Sequence, residues 1–342
     1  MKNLTFLATL SLSLIISRAF CQSGTLDPTF GAGGIVTTSF PGDNDGEAVA
    51  IQTDGKILIV GTTDDPSGNL NLRAVRYLSD GTIDAGFGTS GTFVLNMASV
   101  GSSVALQSDG KILVGGTTDL GLGASFDAIV ARLNADGTLD NSFGSSGIVT
   151  TDFAGMDDVI NGMTLQSDGK IVVGGTTDNN GDDDFLVIRY NIDGTLDNSF
   201  ASGGMISFDI NGGNQEGEFV LVQTDGKVII GGSSEDDAAV VRLDAAGAPD
   251  ATFGTGGFVT TDVVLGYNDA MAGGIQSDGK IVVHGTAEVN IGPMSSEDFS
   301  TIRYNEDGSL DQSFGSGGIV NTPMGNSEEA VGTTMAIQSD GG

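Results

Sequence analysis

The segment Asp178-Asn179-Asn180-Gly181-Asp182-Asp183-Asp184 sets oxygen-bearing side chains at alternate positions, Asp178, Asn180, Asp182 and Asp184. A shorter segment, Asp43-Asn44-Asp45-Gly46-Glu47, offers Asp43, Asp45 and Glu47 in the same way. Oxygen ligands at that density suit a hard divalent cation. Ca2+, which takes about six to eight oxygens and favours flexible loops, is the cofactor they would hold. Neither segment has the spacing of a helix-loop-helix calcium loop. A solvated acidic surface serving solubility is the competing reading, and on sequence alone it is the favoured one.

Other chemistries find few residues. His284 is the only histidine and Cys21 the only cysteine, so neither a two-His nor a multi-thiolate metal centre can be built. Glycoside hydrolysis needs only two carboxylates, but the chain has no Trp and four Tyr with which to make sugar platforms. No phosphate loop, dinucleotide fingerprint or nucleophile elbow occurs in a suitable context. No catalytic residue is assigned. The 45 Asp and Glu against 13 Lys and Arg give a formal charge of -32, which excludes the usual electrostatic routes to nucleic acid and anionic membranes. Cations or cationic partners fit that charge better.

The elements that must position these residues are repeated. A Phe preceding Gly or Ala recurs at 30, 87, 143, 200, 253 and 314. Gln-x-Asp-Gly begins at 52, 107, 166, 223, 276 and 338, and an Arg recurs at 76, 132, 189, 242 and 303. Each unit reads as four short strands, exemplified by 48–52, 56–61, 72–78 and 147–151, separated by Asp-Gly turns. The inner strands are near-continuous apolar runs, so both faces of each sheet must be covered. Four-stranded sheets packed face to face around an axis meet that need, which predicts an all-β fold, a β-propeller of four-stranded blades. It comprises five complete repeats plus partial terminal pieces of a six-bladed or larger ring. A β-solenoid is the alternative, but it has no need of recurring Asp-Gly hairpins.

The strings QSDGK at 107–111, RYNIDGTLD at 189–197 and SFGSGGIVNT at 313–322 resemble the delta-60 repeat, a bacterial secreted β-propeller family whose domain has no assigned function. The resemblance covers residues 24–341. It implies a propeller and an exported protein, and supplies no catalytic residues. AAGAPD at 245–250 and Ala201 after Phe200 depart from the pattern locally.

Lys2, the apolar or hydroxylated run from Leu4 to Ile16 and Ala19-Phe20-Cys21 read as a signal peptide over 1–21, leaving a propeller domain over 22–342. A membrane anchor competes, but the run is well short of the ~20 residues a span needs. Lipidation of Cys21 competes too, against bulky Phe20 and nearby Arg18. The expected location is secreted or cell surface, with no membrane insertion after cleavage. The copy at Gln338 stops at Gly342, where the others have Lys, so the chain reads as truncated within its last blade.

In antiparallel blades, the turns joining first to second and third to fourth strands emerge on one side. These are the repeated QxDGK and DGTLDxSFG turns; the loops on the other side vary from copy to copy and carry many Asp and Glu but no Lys or Arg. A specific site belongs among the variable loops. The repeated Arg is expected to pin its outer turn, as Arg132 with Asp136 and Asp140, and the repeated Lys to lie on apolar surface. His284, where other copies have Val60, Gly115, Gly174 and Gly231, is expected to fill a gap between blades. The functional expectation is a non-enzymatic structural, adhesive or ligand-binding module for a protein or glycan. A hydrolase or lactonase with a metal-carboxylate site near the axis is the alternative.

Overall fold

The computed structural model describes residues 25–338 apart from 66, 119–124, 180, 265, 292–293 and 325–330. The expected leader with Cys21, the candidate ligand Asn180 and the last four residues lie outside the described residues.

Five four-stranded antiparallel blades follow one another. Blade 1 comprises Asn44–Ile51, Ile57–Asp64, Leu70–Tyr77 and the first half of Thr92–Leu106. The second half of Thr92–Leu106 opens blade 2, which continues with Ile112–Thr118, Ala128–Leu133 and Ile148–Thr151. Blade 3 is Asp158–Leu165, Ile171–Asp178, Asp183–Tyr190 and Met205–Phe208. Blade 4 is Gln215–Val222, Val228–Ser234, Asp237–Leu243 and Phe258–Thr261. Blade 5 is Ala272–Ile275, Ile281–Ile291, Met294–Tyr304 and Ile319–Thr322. Successive first strands touch one another, so they are the innermost.

The fusion of two expected strands into Thr92–Leu106 has a length cause. From Phe87 to Ser99 the connection runs 12 positions, whereas from Phe143 to Asp158, Phe200 to Gln215 and Phe253 to Asn268 it runs 15. The shorter connection has no residues to spare for a loop and passes straight from one blade into the next.

The core lies between blades. Leu58, Val60, Leu72 and Ala74 of blade 1 pack on Ile112, Val114, Ile129 and Ala131 of blade 2. The alternate residues Leu113, Ala128 and Val130 face Ile171, Val173, Leu186 and Ile188 of blade 3. Period-2 alternation thus sends successive residues of one strand into two different cores, which is why these strands read as unbroken apolar runs.

A charged clamp locks each outer turn. Arg132 Nε donates to Asp140 Oδ2 at 2.7 Å, its guanidinium lies 4.6 Å from the Phe143 ring centre, and Nη1 donates to Ile192 O of the next blade. Arg189 repeats this with Asp197, Phe200 and Ala245 O, and Arg242 with Asp250, Phe253 and Glu306 O. The repeated Lys joins in: Lys111 lies 2.8 Å from Asp140 and Lys170 2.9 Å from Asp197. The Arg–Asp140 pairing is the expected one, but Asp136 caps its own turn through Thr138 N–H instead of meeting Arg132.

The terminal pieces repeat seam contacts of the full blades. Tyr77 donates to Thr38 Oγ1 at 2.7 Å, as Tyr190 does to Thr151. At the other end Gly332 N–H donates to Thr286 Oγ1, as Gly101 does to Thr62 and Gly217 to Thr176. Residues 331–338 therefore sit where a sixth first strand begins. His284, bonded at 3.0 Å to Thr301 and close to Gly332, fills the space between blade 5 and this segment, as expected.

Candidate functional site

Folding sorts the charges by face. Every ion pair among the described residues joins a clamp or hairpin Lys or Arg to an Asp on the repeated-turn side. No carboxylate of the variable face is within 4 Å of a Lys or Arg among these residues. Arg73, the remaining cation, stacks 4.0 Å over Phe40 and donates to Thr63. A cavity of about 690 Å³ lies on the repeated-turn side, where its Lys227 and Arg242 are already bound to Asp250.

On the variable face two groups of three carboxylates each bring oxygens within 4.8 Å of one another: Asp182, Asp184 and Asp209, and Asp127, Asp152 and Asp158. Asp184 and Asp158 are buried, with 2% and 0% exposure, and each leaves Oδ1 without a hydrogen bond. Asn179 donates to Asp184 Oδ2 at 3.1 Å. Burial raises the Asp184 carboxyl above its usual range, and Asp209, Asp182 and Asp183 add to it against that one bond. All ligand atoms are oxygens, which suits a hard cation.

The structure divides the expected ligand set. Asp182 and Asp184 come together, with Asp209 from the loop after the fourth strand as a partner that the local segment does not contain. Asp178 ends its strand, accepts from Gly181 N–H, and faces a different cavity. Asp43, Asp45 and Glu47 are exposed; Asp45 and Glu47 belong to the first strand of blade 1, and Asn44 bonds back to Phe40 and Gly42. The missed Asp209 repeats Asp152 and Asp262 one unit away, and that repetition is the signal that would have found it.

The second acidic feature is a cavity of about 400 Å³ at the variable end of the innermost strands of blades 3 and 4, lined by Asp157, Asn161, Asp178, Asp183, Glu216 and Glu218. The first strands of blades 1 to 4 each carry a β-bulge, visible as a register slip between Gly46 and Ala48, Gly101 and Ser103, Ile160 and Gly162, and Gly217 and Phe219. The bulged Ser102 and Asn161 donate to the next blade at Ile160 O and Gly217 O. Glu218 holds the same place but has a proton to give only when neutral. Burial, then Asp269 and Glu216, push its carboxyl up to about 7, and burial pushes Asp269 up to about 6.

These raised groups give stability a pH dependence. The folded chain holds protons that the unfolded chain releases above about pH 4.3. Stability is therefore gained as pH falls through about 7 and is fully present near pH 4. Below that, the clamp carboxylates Asp140, Asp197 and Asp250, all held well under the usual range, reverse the trend. With chelator present, the unfolding temperature is expected to rise by about 2–5 °C from pH 8 to pH 5.5. Glu218→Gln is expected to remove much of that rise; a flat profile, or an unchanged one in the variant, contradicts the assignment.

Five segments, 52–87, 107–143, 166–200, 223–253 and 276–314, together more than half of the chain, match a family model described as a domain of unknown function (DUF5122) β-propeller. The chain belongs to this family. The segments of the DUF5122 match run from the hairpin Gln to the clamp Phe, so they coincide with the repeated scaffold. The connections holding Asp152, Asp158, Asp209, Glu216 and Glu218 fall between them. No curated protein sequence matches this DUF5122 propeller. Among solved structures it is similar to a protein of unknown function from Bacteroides caccae, with 11% identity over 82% of this chain and 87% of that one, TM-score 0.45. It is also similar to the polysaccharide lyase Uly1, with 10% identity over 89% and 76%, TM-score 0.49. A third is a calcium-binding regucalcin from Agrobacterium tumefaciens, with 15% identity over 72% and 70%, TM-score 0.36.

Proposed function

We propose that this chain is an exported, non-enzymatic β-propeller that acts as a structural, adhesive or ligand-binding module for a protein or glycan. Its acidic loop face carries Ca2+ on Asp182, Asp184 and Asp209. The observation that carries this reading is the sorting of charge: the clamps take up the repeated cations, while the variable face keeps carboxylates with no counter-charge, among them buried Asp184, whose Oδ1 has no hydrogen bond. Export rests on the leader read over 1–21, and is tested by finding the N-terminus of the protein recovered from the medium at residue 22.

Thermal unfolding with Ca2+ in excess and then with chelator tests the metal. Saturation at about 100 times the dissociation constant stabilises by ~2.7 kcal/mol per site, a shift of about 5 °C or more. The shift is expected with Ca2+, not with matched Mg2+, and is expected to shrink in Asp184→Asn. No shift, or the same shift with Mg2+, leaves the acids as a solubility coat.

A second reading has its own observation. Glu218, whose carboxyl is pushed up to about 7 by burial, beside the second carboxyl group of Glu216, is the kind of pair that serves general acid catalysis in a hydrolase or lactonase. Turnover of a lactone or glycoside panel that disappears in Glu218→Gln would replace the binding-module reading.

A further inference from the structure

We propose a second Ca2+ site, at the seam of blades 2 and 3, with Asp127, Asp152 and Asp158 as its carboxylate ligands. It goes beyond the Asp182/Asp184/Asp209 site and does not depend on it.

The argument rests on what the repeat places at one position. The residue eight before each hairpin Gln caps the loop entering the first strand: Asn44, Ser99, Asp158, Gln215 and Asn268. Where it is an amide, both ends are used. Asn44 accepts from Phe40 N–H and donates to Phe40 O and Gly42 O. Asn268 accepts from Val264 N–H and donates to Val264 O and Gly266 O. Gln215 accepts from Ile210 N–H and donates to Ile210 O and Gly213 O. The seat is thus built around one acceptor and one donor.

Asp158 fills the acceptor half, its Oδ2 taking Phe153 N–H at 2.6 Å, but its other oxygen has nothing to donate. The loop has not changed shape to suit. Ala154 and Gly155 have φ of 63° and 76°, against 60° and 75° for Asn211 and Gly212. Gly155 N–H bonds Asp152 Oδ1 at 2.6 Å, as Gly212 N–H bonds Asp209 Oδ1. The carbonyls equivalent to those of Ile210 and Gly213 belong to Phe153 and Met156. An anionic oxygen therefore replaces the –NH2 that such carbonyls would meet.

Asp158 is 0% exposed, and its Oδ1 lies outside hydrogen-bond geometry, with the neutral Thr177 hydroxyl as its near neighbour and no Lys or Arg among the described residues to pair with it. Carboxylate oxygens of Asp127 and Asp152 stand within 4.8 Å. A buried charge without a partner is among the costliest features of a fold. One cation at this point meets three carboxylates and an inverted amide seat at once. An all-oxygen set on a loop selects Ca2+ over softer metals, and over Mg2+ with its demand for a regular, water-rich shell. The ion ties the loop entering the third strand of blade 2, the connecting loop and the first strand of blade 3. The shortened seam between blades 1 and 2, with Asn71 and Ser99 at the equivalent places, has no such group.

The test is calorimetric titration of the full chain with Ca2+, together with unfolding in chelator. Asp158→Asn restores the amide of the other seats. It is expected to bind one equivalent of Ca2+ fewer than the native chain and, in chelator, to unfold at a higher temperature. Asp152→Asn, changed at an exposed loop position, is expected to lose the same equivalent and covers the case in which Asp158→Asn fails to fold. Unchanged stoichiometry in both variants overturns the proposal and leaves a proton as the occupant of the seat. Asp184→Asn, titrated alongside, separates the two sites: it removes a different equivalent, so failure of that site leaves this one standing.

Discussion

Arg189→Ala is expected to destabilise the propeller by about 3–5 kcal/mol, the usual cost of breaking a buried ion pair from one side. Arg189 is 4% exposed and makes three contacts at once: Asp197 at 2.7 Å, Ala245 O of the following blade at 2.8 Å, and the Phe200 face at 4.3 Å. Burial pushes the Asp197 carboxyl up; Lys170, Ser199 and the Arg189 charge outweigh it and hold it well below the usual range. Without the guanidinium, a 5% exposed carboxylate keeps Lys170 alone as its cation, and a carbonyl at the blade seam loses its donor. Arg189→Lys is expected to recover little, since an ammonium cannot reach the Asp, the carbonyl and the ring together. Urea unfolding measures the loss, and a cost below about 1 kcal/mol would mean that apolar packing alone holds the seam. Asp197→Ala is a weaker probe, because it also removes the Ser199 turn bonds.

What the sequence made legible follows from how local each feature is. Strand count and turn chemistry come from contacts within one repeat, so six copies of Gln-x-Asp-Gly and five of the Arg display them directly. The clamp was half legible: Arg132 and Asp140 are eight residues apart on one hairpin, while the bond from Arg132 to Ile192 O crosses to another blade and leaves no mark on side-chain identity. The metal-ligand pattern suffered most. Alternation over 178–184 treats the segment as one strand edge, but a hairpin there sends Asp178 and Asp183 towards the innermost strands and Asp182 and Asp184 towards the blade seam. The Asp127, Asp152 and Asp158 group draws on three segments of two blades, and Asp127 is 31 residues from Asp158. Only comparison of equivalent positions across copies reveals them, as it does the odd carboxylate among Asn44, Gln215 and Asn268.

The same comparison isolates the glycine on which the blade geometry depends most. Gly175→Ala is expected to cost about 3 kcal/mol or more, or to prevent folding, because the added methyl would stand 1.9 Å from Val159 O and 2.9 Å from Ile160 Cα. Both are backbone atoms of the paired strand, and no rotamer change moves them. The crowding comes from the β-bulge after Ile160, which draws the first strand in over the second. It recurs at Gly61, Gly116, Gly232 and Gly285, where a methyl would meet the carbonyls of Asp45, Val100, Glu216 and Asp269 at 2.0 Å or less. The preceding position provides the control. At Gly174 the nearest atom is the Val220 side chain at 2.9 Å, and other copies hold Val60 and His284 there, so Gly174→Ala is expected to cost about 1 kcal/mol. Paired unfolding curves for the two variants separate close backbone approach from a general aversion to side chains in this strand. Equal costs would mean that the bulge relaxes, in which case the hydrogen bonds of Ser102 and Asn161 to the neighbouring blades, which depend on it, should loosen as well.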